Sequence, residues 1–343
     1  MQVLVTGAFG NIGQSTVSEL LAQGHTVRCF DIKTRANEKT ARRFGGQIEV
    51  VWGDLRNPKD IAIAVRDQEV VIHLAFIIPK LSATGVESEA HPDWAREINV
   101  GGTRNLVEAL EARPQPPRLL FSSSFHIYGR TQHLPPPRRV TDPPQPIEHY
   151  ARHKVEAEAL IRASRLEWAI FRLAAVFPLA MKMDPGMFDV PLDNRIEYVH
   201  TRDVGLAFAN AVSNSKVWGK TLHIGGGPRC QYIYREITAK VLEGMGVGML
   251  PEEAFTTVPF PTDWLDTGES QGLLQYQRYT IDDYVRDMQA FVGFRRHLIQ
   301  LVRPLVRRWL LQQSPYLHPD SAGRLSRLIH RSKMPKQPPV EVR

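Results

Sequence analysis

Through the first half of the chain, apolar residues come in short runs, each followed by a longer stretch with helical spacing. Residues 2–6 (QVLVT), 26–30 (TVRCF), 48–52 (IEVVW), 70–75 (VVIHLA), 118–122 (RLLFS) and 168–173 (WAIFRL) are predicted strands. Helices are predicted over 12–23, near 58–67, over 93–112 and over 150–165. A strand buried on both faces reads as a continuous apolar run, so this order predicts an α/β chain with a doubly wound parallel sheet covered on both sides. Six prolines between 130 and 149 predict an irregular loop, because proline breaks both ladders and helices. A later helix over 204–212 (VGLAFANAV) is expected to take Asp203 as its N-cap. No internal repeat is present.

In an open parallel sheet, ligands bind beyond the carboxyl ends of the strands, so the loops after residues 6, 30, 75 and 122 should converge. The first of them is glycine-rich: residues 6–13 (TGAFGNIG) join the first strand to the first helix. Gly7, Gly10 and Gly13 permit a tight turn and let backbone N–H groups approach a pyrophosphate at the helix N-terminus. Their Gly-x-x-Gly-x-x-Gly spacing is one residue wider at the start than the usual dinucleotide fingerprint. Asp31 closes the second strand, where a carboxylate can accept from adenosine ribose hydroxyls and would repel a 2′-phosphate. NAD is therefore the expected cofactor. NADP is the lesser alternative, with Lys33 and Arg35 close behind Asp31.

Residues 150–154 (YARHK) add chemistry. On a helix Tyr150 and Lys154 lie one turn apart on the same face. A free phenol has a pKa of about 10. A nearby ammonium favours the phenolate, as does the positive ring of an oxidised nicotinamide. Tyr150 is then suited to take a proton from a substrate alcohol while hydride leaves for the cofactor.

These motifs, in this order, resemble those of the extended short-chain dehydrogenase/reductases, the group of NAD-dependent epimerases, dehydratases and hydroxysteroid-type dehydrogenases. The likeness runs from about residue 1 to 290 and also rests on 54–55, 73–75, 99–103 (NVGGT), 121–129 (FSSSFHIYG), Arg172, 198–204 (YVHTRDV) and 222–227 (LHIGGG). It implies a Rossmann-type NAD-binding domain over 1–173 to which 199–224 returns. A smaller substrate-binding region would comprise 174–198 and 225–293. It also implies that Gly7, Gly10 and Gly13 cradle the pyrophosphate, that Phe9, Asn11 and Ile12 of the same loop touch the cofactor, and that Asp54 and Leu55 border the adenine. Leu74, Ala75 and Asn99 would stand on the cofactor side of the cleft. Ser124 would bond the substrate oxygen, Tyr150 exchange its proton, and Lys154 hold the nicotinamide ribose. Strand alternation leaves Ser122 as an alternative to Ser124. Asn99 has a structural reading too, tying its helix to a neighbouring strand.

The chain departs from the sugar-nucleotide members in two places. Ala175 stands where they carry asparagine, three residues after the arginine that Arg172 matches. Only about twenty residues separate Phe177 from Tyr198, and the stretch (PLAMKMDPGMFDVPLDNRIE) is Met-rich and apolar. A diphosphate-linked sugar needs more polar contacts than this segment offers. The sequence thus favours NAD-dependent interconversion of an alcohol and a ketone on a small or weakly polar substrate. The alternatives are an NAD-dependent epimerase or dehydratase and, in another class, a non-catalytic NAD(P)H-binding scaffold or sensor.

Charge is divided unevenly. The net charge of +7 splits into +9 over residues 294–343 and −2 over the rest, so a nucleic-acid-binding face on the body is not expected. Cys29 and Cys230 make neither a disulfide framework nor a metal spacing, His200 and His223 are read as core or loop residues, and His73 and His153 are too isolated for metal ligands; no metal is expected. A chain that opens on a strand and holds no long apolar run predicts a cytoplasmic protein with no signal peptide or membrane span. In 294–312, apolar positions 298, 301, 302, 305 and 309 oppose Arg296, Gln300, Arg303 and Arg307, which predicts an amphipathic helix kinked at Pro304. Two readings of it stay open, packing on the body or a second subunit as in a homodimer, and peripheral membrane contact through 294–331. A second short basic segment over 324–331 and disorder over 333–343 complete the expected tail.

Overall fold

The computed structural model describes residues 1–79, 87–179 and 185–317. Residues 180–184 of the Met-rich stretch, and the tail segments 324–331 and 333–343, lie outside the described residues. The strands are β1 (Gln2–Thr6), β2 (Thr26–Asp31), β3 (Ile48–Trp52), β4 (Val70–His73), β5 (Arg118–Ser124), β6 (Trp168–Leu173), β7 (Arg195–Glu197), β8 (Thr221–Ile224) and β9 (Gln231–Ile233). Seven of them form one parallel sheet in the order β3-β2-β1-β4-β5-β6-β8, while β7 and β9 pair antiparallel.

The helices are α1 (Asn11–Ala22), α2 (Arg35–Ala41), α3 (Pro58–Ala64), α4 (Pro92–Arg96), α5 (Gly102–Glu111), α6 (His149–Ala163), α7 (Thr201–Val212), α8 (Tyr234–Gly244), α9 (Gly268–Leu274), α10 (Ile281–Val292), α11 (Arg295–Leu301) and α12 (Arg303–Leu311). Successive side chains of β1 go to opposite layers, as strand geometry requires. Val3 and Val5 pack with Val17, Leu20 and Phe208 under α1 and α7. Leu4 packs with Leu106, Leu110 and Ile161 under α5 and α6. A third cluster, with Phe188, Tyr198, Ile237, Tyr284 and Met288, is the core of a smaller lobe built on β7, β9, α8 and α10.

The sheet fulfils the expected architecture, and the differences are local. The strand expected to reach residue 75 ends at His73, because the backbone turns away to run beside Gly7. The helix expected near 58–67 ends at Ala64. The single helix expected over 93–112 is α4 and α5 joined by a π-helical turn over Glu97–Gly101. Such a turn holds one extra residue and rotates the face that follows it. Asp203 is not the N-cap of α7. That residue is His200, whose ring accepts from the Arg202 N–H, and the helix begins three residues earlier than expected. Asp203 is buried and accepts instead from the Arg278 and Tyr279 N–H groups, 3.2 and 3.0 Å away.

The tail differs most. The helix breaks at Val302, one residue before Arg303 opens α12, so that Pro304 sits in the first turn, where its missing N–H is harmless. The apolar face points outward and does not pack on the body: Leu298, Leu301, Val302, Leu305 and Trp309 are all exposed. The supposed solvent side docks instead, with Arg303 and Arg307 bonded to backbone carbonyls of residues 247–249 and Leu310 buried. No helix among the described residues is long and apolar enough to cross a membrane.

Candidate active site

The sheet order reverses direction between β1 and β4, which opens a crevice at their carboxyl ends. The glycine loop lies there. Gly7 has φ +68°, and a Cβ on it would sit 2.7 Å from the Ala75 nitrogen. Both facts demand glycine. A Cβ on Gly13 would lie 2.3 Å from the Gly7 carbonyl oxygen, so this glycine lets α1 approach the loop. Gly10 is different: a Cβ there would meet only the Gly7 oxygen, at 3.4 Å. The fold does not need Gly10 bare. A ligand group pressed against the N-terminus of α1 would need it bare, and the loop therefore fits a pyrophosphate.

Asp31 stands at the end of β2 beside this loop. One of its oxygens accepts from the Phe9 N–H at 3.0 Å; the other accepts from the Ile32 N–H at 2.8 Å and the Asn37 amide at 3.1 Å. Burial raises its pKa above the usual value, while the two backbone bonds pull it back. Phe9 packs on Trp52 at 5.3 Å between ring centres. Asp54 is held in a fork by Arg56, at 3.1 and 2.6 Å, while Leu55 is buried against Gly102. Asn11 and Ile12 open α1, and Ser15 and Thr201 tie that helix to α7 at 3.1 Å. Across the crevice, Thr6 accepts from the Ala75 N–H at 3.3 Å through its hydroxyl and from Leu74 at 3.2 Å through its carbonyl. Asn99 has both ends of its amide on the backbone of Ile77, at 2.6 and 3.0 Å. That fixes the segment after β4, and the π-helical turn brings Asn99 to it.

Ser124 ends β5 and Tyr150 opens α6. Neighbouring parallel strands and the α6 crossover bring them together despite 25 intervening positions. The Ser124 hydroxyl is hydrogen-bonded to the Tyr150 phenol and also accepts from the His126 N–H at 3.2 Å. Lys154 lies one turn further along α6, its ammonium donating to the Ser122 carbonyl and standing 3.5 Å from the centre of the Phe76 ring. Its distance to the centre of the Tyr150 ring is 5.6 Å. Burial pushes the Tyr150 phenol well above its ordinary value, with the Ser124 bond opposing. Burial likewise lowers Lys154, with the Glu158 carboxylate opposing. Both groups therefore lean towards their neutral forms.

Ser122 contributes its carbonyl, as just described, and Ser123 points elsewhere. The Ser123 hydroxyl donates to Glu158 at 2.5 Å, and Glu158 is gripped by Arg172 at 3.0 and 2.8 Å. Arg172 also donates to Tyr128 at 2.7 Å; Tyr128 donates to His223 Nε2 at 2.6 Å, and His223 Nδ1 donates to the Asp266 carbonyl at 3.2 Å. This assignment leaves each group satisfied and makes His223 neutral. Burial, with Arg172 nearby, lowers its pKa to about 4. Burial works against the Glu158 charge, but Arg172 outweighs it and holds that carboxyl below the usual range. The network bolts β5, α6 and β6 together, so Ser124, Tyr150 and Lys154 are held on one rigid frame.

Three further groups were not singled out by the motifs. Glu89 accepts from the Tyr150 and His149 N–H groups at 2.8 and 3.1 Å, satisfying the first turn of α6 from a distant loop. His126 pairs with Glu148 at 2.7 Å and sets its ring edge-on to Tyr150 and Phe260, at 6.0 and 5.6 Å between centres. Phe76 stands edge-on to Tyr150 at 5.8 Å. For Glu158, a carboxylate four residues after Lys154 on an apolar helix face was the one available hint.

The profile of the NAD dependent epimerase/dehydratase family matches residues 3–178. A 3 beta-hydroxysteroid dehydrogenase/Delta 5-->4-isomerase of Mycobacterium tuberculosis is 33% identical over 169 residues, which are 47% of this chain and 42% of that protein. A UDP-glucose 4-epimerase of Klebsiella pneumoniae is 36% identical over 141 residues, 39% of this chain and 97% of the other. The chain spans about two fifths of the length of curated relatives such as the mycobacterial protein. Among solved structures, a double mutant of dTDP-glucose 4,6-dehydratase from Streptomyces venezuelae, with NAD bound, superposes with a TM-score of 0.70 at 23% identity, covering 87% of this chain and 98% of that one. It shares the fold.

Proposed function

The chain belongs to the NAD dependent epimerase/dehydratase family, and from that membership we propose that it oxidises an alcohol carbon of a nucleotide sugar, the kind of substrate that the name of its UDP-glucose 4-epimerase relative states, and returns the hydride within the same turnover. The observation that carries this is the Ser124–Tyr150–Lys154 set at the mouth of the glycine-loop crevice. NAD supplies the hydride acceptor at its nicotinamide ring. The backbone of Gly7, Gly10 and Gly13 would hold its pyrophosphate, Asp31 its adenosine ribose, and Lys154 its nicotinamide ribose.

Ser124 orients the substrate oxygen and Tyr150 takes the hydroxyl proton. Two conditions must change for Tyr150 to act as a base, since burial alone keeps it protonated. A positive ring beside it and a charged Lys154 would both favour the phenolate. Phe76 and Phe260 exclude water from the rim. Epimerisation at the oxidised carbon needs no second proton carrier. Loss of water does, and His126, oriented by Glu148 and edge-on to Tyr150, is placed for that role.

Net oxidation of a weakly polar alcohol is the second reading, and the family relationship favours it less. It is supported by the engagement of two cations that a diphosphate would want: Arg195 and Arg138 both face Asp263, at 2.7 and 3.6 Å. The test is turnover of UDP-glucose and of a 3β-hydroxysteroid by purified enzyme, each without and with added NAD. The proposal expects product from the sugar nucleotide, NAD recovered oxidised, and a loss of about 10²–10⁴-fold in Tyr150→Phe. Stoichiometric consumption of added NAD, with the steroid alone converted, would establish the second reading instead.

A further inference from the structure

The catalytic set makes no use of the two C-terminal helices, and their orientation is unusual. α11 and α12 meet the smaller lobe through their polar side. Arg303 Nε donates to the Val247 carbonyl at 2.9 Å, and Arg307 Nη1 to those of Val247, Gly248 and Met249 at 3.1, 3.0 and 2.6 Å. Ile299, Val306 and Leu311 complete the contact.

The opposite side is apolar and open. Phe294, Leu298, Leu301, Leu305 and Trp309 are 73, 53, 79, 67 and 51% exposed. Spacing places Leu298 and Leu301 on one face of α11 and Leu305 and Trp309 on one face of α12, and Phe291 at the end of α10 is 53% exposed. Residues so placed add nothing to the fold, and a run of this kind marks an interaction site.

We propose that this face docks on an anionic lipid surface, with α11 and α12 lying in the plane of the interface. Charge selects this occupant. Residues 294–317 contain five arginines and no acidic residue. Arg303 and Arg307 are engaged by the lobe, but Arg295 and Arg308 are exposed and stand three residues from Leu298 and Leu305, at the edge of the apolar face and within reach of phosphate groups if Leu305 and Trp309 enter the headgroup–acyl boundary. A two-fold contact with a second copy through this face would bring Arg295 and Arg308 at its edge close to those of the other chain. Residues 318–343 hold six basic residues against two acidic ones, so they do not complement the face either.

The experiment is co-sedimentation of the full chain with vesicles of equal parts phosphatidylserine and phosphatidylcholine, beside vesicles of phosphatidylcholine alone. The protein should pellet with the mixed vesicles only, and leave them as the screening length falls from about 10 Å at 0.1 M salt to about 3 Å at 1 M. The double substitution Leu301→Glu, Leu305→Glu should abolish pelleting with melting temperature and NAD affinity unchanged, because both side chains are exposed. No pelleting of the wild type, or equal pelleting of the variant, would overturn the proposal. So would a dimer in light scattering that the double substitution dissociates without any vesicle binding. Vesicle binding that appears only after removal of 318–343 would overturn it too, in favour of a face covered by the chain's own tail.

Discussion

The carboxylate of Asp31 is committed to three donors of its own chain before any ribose arrives. The residue was legible in the sequence, since an acid closing the second strand has a direct chemical reading. Its grip on the Phe9 N–H was not, because nothing in the spacing shows how a loop folds back. Replacing Asp31 with Ser should therefore do more than relax nucleotide preference. It leaves buried donors unmatched, a loss of about 1–3 kcal/mol. The melting temperature should fall and NAD affinity with it, while NADP should not become the tighter ligand. Calorimetric titration with both nucleotides checks this, and a variant of unchanged stability that prefers NADP would show that Asp31 serves specificity alone. Tyr150 and Lys154 were equally legible from a helical spacing. Glu158, Arg172 and His223, which fix their frame, meet only through the tertiary fold, and no local pattern joins residues 158 and 223.

Among the elements, the glycine loop separates two kinds of requirement that look alike in sequence. Gly13→Ala drives a Cβ into backbone at 2.3 Å, where nothing can yield cheaply. It should lower stability by about 1–3 kcal/mol or more and abolish NAD binding. Gly10→Ala meets nothing closer than 3.4 Å, so its melting temperature should stay near that of the wild type while NAD binding weakens at least tenfold. Differential scanning fluorimetry with and without NAD reads both. A strongly destabilised Gly10→Ala would contradict the assignment of that glycine to the cofactor. The strands were readable because a sheet covered on both faces writes itself as apolar runs. The tail was half readable. Its periodicity was visible, but periodicity defines two faces without saying which one docks. Arginine forks that find backbone carbonyls at residues 247–249 decided the matter, and those carbonyls leave no mark in a sequence. The π-helical turn was invisible for a related reason, since one extra residue disturbs apolar spacing too little to be seen.

Across the whole molecule, buried ionisable groups oppose one another. His73, between the Thr6 and Thr103 hydroxyls at 2.7 and 3.0 Å, has its pKa lowered to about 3 by burial and Lys154, and His223 to about 4. An unfolded histidine takes a proton near pH 6.5 while these do not, so each removes stability as pH falls below that value, by about 1.4 kcal/mol per unit. Glu197 and Asp203 are raised to about 7 by burial. They hold protons that the unfolded chain has released, and so add stability over the same fall in pH. Between about pH 5 and 6.5 the two pairs should nearly cancel, and the fall in urea-unfolding stability on acidification should come from His25, His153 and His200, which burial also lowers. In His73→Asn that stability should rise on acidification by about 1.4 kcal/mol per unit relative to wild type. A difference that does not change with pH would mean that His73 is not held neutral. The measurement closest to the catalytic claim is an ultraviolet difference titration of tyrosinate in the protein with and without oxidised NAD, using Tyr150→Phe as the blank. Without cofactor, burial should keep Tyr150 protonated through the alkaline range. With oxidised NAD, one tyrosinate should form at least two pH units earlier, about a hundredfold in the ionisation constant, and be absent from Tyr150→Phe. Titrations that superpose with and without NAD would contradict Tyr150 as the proton carrier of an NAD-dependent site.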